Sequence, residues 1–164
     1  MFDDMKHYVK DWKDKDGIHD YLLKLLNKEA FDRSGLIYGM GHAIYSLSDP
    51  RAKIFKKGVE NLAKAKGLEE EYMLYATVED MAAEIIAEHR RIYKGVCANV
   101  DFYSGFAYKI LNIPEELFTP IFACARIVGW SAHRLEELVN SGKIIRPAYM
   151  SISHEKKYKS ISER

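Results

Sequence analysis

Three places in this chain put reactive or charged side chains where packing does not call for them. The first is an imidazole in a glycine-rich loop, Tyr38-Gly39-Met40-Gly41-His42-Ala43, which runs on to Asp49-Pro50-Arg51. Glycines at this spacing let the backbone turn sharply and let a ligand approach main-chain N–H groups. Asp-Pro predicts a helix start, with Asp49 as N-cap, Pro50 at the first helical position and Arg51 in the first turn. The loop thus presents one imidazole and one guanidinium around a helix start. It reads equally as a glycine-rich turn with an incidental histidine, since short motifs recur by chance.

The other two are lone charges. Asp101 is the only charged residue between Gly95 and Tyr108, and Arg126 the only one between Phe118 and Ala132. A charge in an apolar run needs a partner, because isolated burial is costly. One reading pairs Asp101 with Arg126, or makes Asp101 a helix cap. The other makes Asp101 a desolvated base, its pKa raised by apolar surroundings, and leaves Arg126 for an anionic ligand. Phe122 lies one turn before Arg126 on the same face. Guanidinium and ring together suit a small dicarboxylate, although Phe122 also reads as ordinary core. Arg146 precedes Pro147 on an extended arm, where it is either solvated or reaches into a neighbouring subunit.

The elements that must position these residues are helical. Phe2, Met5, Val9 and Trp12 recur at helical spacing, residues 13–17 are a charged turn, and 18–26 form an amphipathic helix. Residues 49–66 form the next helix, with Ile54, Val59 and Leu62 inward and Gly67 at its C-terminal end. Residues 69–93 form a long helix whose apolar side includes Met73, Leu74, Val78, Ala82, Ile85 and Ile86; Glu88 to Arg91 read as its solvated last turn. A loop over 95–99, a short helix over 101–111 and the most apolar helix, 118–139, follow. Asn140-Ser141-Gly142 stops that helix, 143–147 is an arm, and the tail after Ser151 is polar and frayed. No strand alternation persists and no repeat is visible, so the fold class is all-α.

Composition narrows the function classes. The net charge of +1 over 164 residues gives no field for nucleic acid or a membrane surface. Cys97 and Cys124 sit in apolar contexts without metal-ligand spacing and read as reduced, buried thiols; no metal site is expected. The N-terminus carries acids where a signal peptide needs bases, and no apolar run is long enough for a membrane span. The expectation is a cytoplasmic protein.

Gly39-Met40-Gly41-His42-Ala43 with Asp49-Pro50-Arg51, then Asn99-Val100-Asp101-Phe102-Tyr103-Ser104-Gly105, then Phe118 to Trp130, then Ile145-Arg146-Pro147 resemble, in that order, the C-terminal part of citrate synthase, bacterial type. The related 2-methylcitrate synthases share these motifs. The resemblance covers roughly residues 37–150. It implies condensation of acetyl-CoA, or propionyl-CoA in the related enzymes, with oxaloacetate, followed by thioester hydrolysis. CoA is then substrate and product, and no permanently bound cofactor is implied. In family terms Asp101 removes the methyl proton of the acetyl thioester, and His42 hydrogen-bonds the oxaloacetate carbonyl and its developing oxyanion. Arg51 and Arg126 clamp carboxylates, Arg146 does so from the partner subunit of a homodimer, and Phe122 packs near the condensing carbons. The backbone of Leu36, Ile37, Tyr38, Gly39, Met40 and Gly41 cradles the adenine end of CoA, Lys94 approaches its phosphates, and Asn99 belongs to the same CoA side.

Two departures stand out. The positions after the loop histidine that often carry a CoA-binding base hold Ile44, Tyr45 and Ser46. The family's enol-stabilising histidine, in a Leu-His-Gly-Gly-Ala-type motif, has no counterpart here; His7 and His19 stand in charged contexts without adjacent glycines. The chain therefore reads as the C-terminal portion of a longer enzyme: residues 1–100 as the small, CoA-side domain, 101–150 as terminal helices and arm of the large domain, and 151–164 as a tail. Helix 118–139 is then expected to expose an apolar patch, and the chain alone is expected to be inactive.

Overall fold

The computed structural model describes residues 1–140, 154, 157 and 160–163. Arg146 and the arm at 143–147 lie outside the described residues, as does most of the tail. Among the described residues there are six α-helices: α1 (Phe2–Tyr8), α2 (Lys15–Leu26), α3 (Pro50–Lys66), α4 (Glu69–His89), α5 (Ser104–Ile110) and α6 (Phe118–Val139). Among the described residues the extended structure is one antiparallel bridge, Met40 with Ala98. The chain divides into two compact units, Met1–Ile121 and Phe122–Arg164.

Local sequence sets the helix ends. Asp49 caps α3 by accepting the Arg51 N–H at 2.9 Å, Pro50 opens it, and Gly67 closes it in the left-handed region at φ 67°. α2 begins at Lys15, earlier than the periodicity predicts, because the Asp14 carboxylate accepts the Asp16 N–H at 3.1 Å. α4 stops at His89 rather than Tyr93. Its last turn is not simply solvated: Arg90 donates to the Gly35 carbonyl at 2.7 Å, and the His89 ring meets the Asn27 amide at 3.1 Å. α5 begins after Asp101, capped at Tyr103 with no side-chain bond, so Asp101 is not its cap.

In the first unit α4 is central and packs against α2 and α3, and α3 also packs against α5. Tyr75 of α4 stacks on Phe2 with ring centroids 3.6 Å apart and on Phe106 at 4.6 Å, with the Phe102 ring edge-on at 6.2 Å. This aromatic pile ties α1, α4 and α5 together. Beside it, Glu79 accepts both the Tyr103 hydroxyl and the Lys56 ammonium at 2.6 Å, joining α4 to α3 and to the start of α5.

Two apolar positions differ from expectation. Ile54 is 77% exposed and Met73 57% exposed. Each precedes a buried valine, Val59 or Val78, by five residues, about 140° round the helix, so each faces away from the core. In the second unit no residue of α6 is buried, and Ile127, Val128, Trp130, Leu135 and Leu138 are exposed. Cys97 is buried as expected, but Cys124, on α6, is exposed.

Burial raises the pKa of Tyr21, Tyr75 and Tyr103 above the ordinary value of 10.0, helped by Asp4 at Tyr21 and Glu79 at Tyr103. A folded-state pKa above the unfolded one contributes stability that is complete below the unfolded value and lost as pH rises beyond it. Above a pH of about 10 the fold should therefore weaken. A base titration should show far-UV circular dichroism falling together with a step in tyrosinate absorbance; gradual ionisation of all tyrosines with helix intact would contradict it.

Candidate functional site

The site begins with a backbone contact between two loops. Gly41 donates to the Cys97 carbonyl at 2.8 Å, Asn99 N–H donates to Gly39 at 2.9 Å, and the Asn99 side-chain amide donates to Gly41 at 2.9 Å. Gly39 and Gly41 sit at φ 83° and 90°. At Gly39 the requirement is also spatial, since a Cβ there would lie 2.6 Å from the Phe102 Cα. Sequence reasoning placed both segments in loops and missed their pairing, because two or three residues per side carry no alternation to detect.

His42 follows directly. Its Nδ1 accepts two backbone N–H groups, from Ile44 at 3.0 Å and Tyr45 at 3.1 Å. A neutral imidazole has one donor and one acceptor nitrogen, so these contacts assign the ring proton to Nε2. Arg51 Nη2 approaches Nε2 to 3.2 Å. Both atoms are then donors, and a single oxygen acceptor placed between them would satisfy both. The Tyr45 ring packs on His42 at 4.8 Å between centroids.

Arg51 is held from behind. Asp49 is 1% exposed, and it accepts Arg51 Nε at 3.1 Å and Nη2 at 2.8 Å in addition to the capping bond. These bonds bring its pKa down to about 2 and raise that of Arg51. Spacing identified the cap; this grip on the guanidinium lay beyond it.

Asp101 lies in the turn before α5, its N–H bonded to the Asn99 side chain at 2.9 Å. It is exposed, not desolvated as expected, because its neighbours Phe102 and Tyr103 point into the core while it points out. Its charge still reaches Arg51 and helps raise the guanidinium pKa. Asp101 lines a cavity of about 600 Å³ together with Tyr38, Gly39, Asn99 and Phe106, a size that suits a small ligand. Of the proposed CoA-side residues, Leu36 and Tyr38 are exposed and Ile37 is buried, leaving Ile37 only its backbone for a ligand. Lys94 is exposed on the loop whose Gly95 passes beside the Ser46 carbonyl. In the second unit, Phe122 and Arg126 share a face of α6, the guanidinium 4.3 Å from the ring centroid. Both are exposed, so Arg126 is not the buried lone charge its neighbours suggested.

The sequence model described as citrate synthase, C-terminal domain, matches residues 3–148. The chain belongs to the citrate synthase family. It is similar to citrate synthase of Synechocystis sp., 41% identical over 129 residues that make up 78% of this chain and 31% of that protein. It is also similar to 2-methylcitrate synthase of Shewanella oneidensis, 37% identical over 150 residues, 90% of this chain and 36% of that one. Among solved structures, citrate synthase of Thermoplasma acidophilum in ternary complex with carboxymethyl coenzyme A and oxaloacetate superimposes with a TM-score of 0.60 at 30% identity, covering 93% of this chain and 40% of that one. The chain thus spans about a third of the length of the curated relatives it matches. Membership of the family agrees with an all-helical fold, and no described helix is long and apolar enough to cross a membrane.

Two outcomes follow from this geometry. Gly39→Ala should lower stability by roughly 1–3 kcal/mol, through forced backbone strain and the Phe102 clash; urea unfolding measures it, and an unchanged midpoint would mean the loops do not meet this closely. The depressed Asp49 pKa adds stability that is complete above 3.8, its unfolded value, and lost as pH falls through about 2. Between those values the Arg51 Nη2–H held by Asp49 should lose hydrogen-exchange protection as the carboxylate protonates, and Asp49→Asn should remove that pH dependence.

Proposed function

We propose that this chain carries the carbonyl-activating and proton-abstracting side of a condensing acyltransferase of citrate-synthase type. The observation behind this is the pairing of His42 Nε2 with Arg51 Nη2, 3.2 Å apart, in a chain of this family. Oxaloacetate offers a ketone oxygen for His42 and a carboxylate for Arg51. Asp101 takes a proton from the methyl group of acetyl-CoA. The resulting enolate carbon attacks the oxaloacetate ketone, a C–C bond forms, and the carbonyl electron pair moves to the oxygen that His42 stabilises. Water then cleaves the thioester, releasing citrate and CoA.

The remaining roles are assigned residue by residue. Arg126 holds a second carboxylate, with Phe122 against the carbon skeleton, and Arg146 supplies a further guanidinium from the partner of a homodimer. Backbone groups from Leu36 to Gly41 take the adenine of CoA, with Lys94 toward its phosphates and Asn99 beside them. Residues 1–100 form the small domain of the longer enzyme and 101–150 part of the large one. The identity to a 2-methylcitrate synthase favours, as a second reading, propionyl-CoA as the acyl donor.

Taken by itself, the 164-residue chain lacks an enol-stabilising histidine and should be catalytically silent, since removing one member of a cooperating set costs orders of magnitude. Incubating it with acetyl-CoA and oxaloacetate should release no CoA thiol above the uncatalysed rate, while both CoA and oxaloacetate should perturb NMR signals of the Leu36–Arg51 segment. Citrate formation would refute the need for a further histidine. A spectrum unmoved by either ligand would leave an interaction remnant in place of a substrate site.

A further inference from the structure

The buried carboxylate of Asp49 exceeds what a helix cap requires. A cap needs one acceptor oxygen for one backbone N–H, and Ser, Thr and Asn serve as well as Asp. Here Oδ1 accepts both the Arg51 N–H and Nε, Oδ2 accepts Nη2 at 2.8 Å, and the carboxylate is 1% exposed. Three bonds from one residue to its neighbour two positions on leave Arg51 little rotational freedom.

The orientation that remains is the consequence. Nε and one N–H of Nη2 are occupied by Asp49, so the guanidinium edge left over faces His42 Nε2. His42 is held independently by the N–H groups of Ile44 and Tyr45. Two donors from separate segments are therefore aimed at one point before any ligand arrives. Their mutual repulsion, which would swing a free arginine side chain into solvent, is resisted by Asp49.

We propose that Asp49 is a positioning residue: it presets the Arg51 guanidinium against the His42 imidazole, so that the ligand's carboxylate and ketone oxygens meet the two donors without reorganisation. The benefit is geometric. Asp49 offsets part of the Arg51 charge, which weakens simple attraction for an anion, and in exchange removes the conformational cost of ordering a long side chain on binding. The inference rests on the reading of His42 and Arg51 as an oxaloacetate site, and deepens it.

Asp49→Asn tests it, because asparagine keeps the cap but turns an amide donor toward Nη2. In ligand-free NMR spectra of the wild-type chain, the Arg51 Nη2–H bonded to Asp49 Oδ2 should give a slowly exchanging signal distinct from other arginines. In the variant that signal should merge with the exposed ones, while amide protection along α3 stays at the wild-type level. Oxaloacetate affinity should fall roughly tenfold, the loss expected for one preorganised charge-assisted contact. Asp49→Ser, also a competent cap, should match Asp49→Asn. An unchanged Arg51 signal in either variant overturns the proposal, and so does a loss of α3 protection in step with affinity, which would make Asp49 a cap and nothing more. A wild-type chain unmoved by oxaloacetate overturns the parent reading instead, whatever the Arg51 signal shows.

Discussion

After residue 41 the chain builds two long helices and then returns to hydrogen-bond to the loop it left. Gly41 on Cys97 and Asn99 on Gly39 close that circuit, with the Asn99 side chain adding a third bond to Gly41. His42 and Asp101 are each within a few residues of the junction, so where each segment lies is set by backbone bonds rather than by flexible side chains. Short polar contacts of this kind tolerate little slippage, because a one-residue shift would orphan buried N–H and C=O groups. The close approach of Gly39 to Phe102 depends on the missing Cβ. The placement of the His42 loop and of the turn carrying Asp101 depends on this junction.

Helix packing makes the junction stable. α3 and α4 are held together by Glu79, which binds Lys56 and Tyr103 at once, and α5 is fixed by the aromatic pile on Tyr75. These contacts determine where residues 97–101 begin and end. The segment between His42 and Asp49 is supported differently. Ile44 and Leu47 are exposed, and its ties are the two N–H bonds to His42 and the Cys97 thiol on the Tyr45 carbonyl at 3.4 Å. A loop with so few buried contacts is where local opening costs least, and the Asp49–Arg51 grip lies at its rigid edge.

Much of this was legible from residue order where the physics is local. Asp49-Pro50 as a helix start and Gly67 as its end follow from capping chemistry acting over three or four residues. Face assignment was less secure. Ile54 and Met73 are apolar and at plausible spacing, yet periodicity gives the direction of a buried stripe and not its width, which depends on how closely the partner helix approaches. The lone charges show the same limit. Asp101 and Arg126 have apolar neighbours along the chain, but a turn or a helix can send neighbours inward and the charge outward, and both are exposed. His89 and Arg90 fail in the opposite sense: they look solvated and instead tie the end of α4 to residues 27 and 35.

The sequence by itself determined the all-helical class, most helix termini, the family and the identity of the residues with chemical potential, because propensity, capping and motif order are properties of nearby residues. Tertiary structure alone decided that residues 39–41 meet 97–99, that His42 Nδ1 faces two backbone N–H groups, and that the Asp49 carboxylate grips the Arg51 side chain. Those facts are non-local or depend on side-chain rotamers. They arise only when α3 and α4 pack and bring distant backbone donors and acceptors within 3 Å or so of one another.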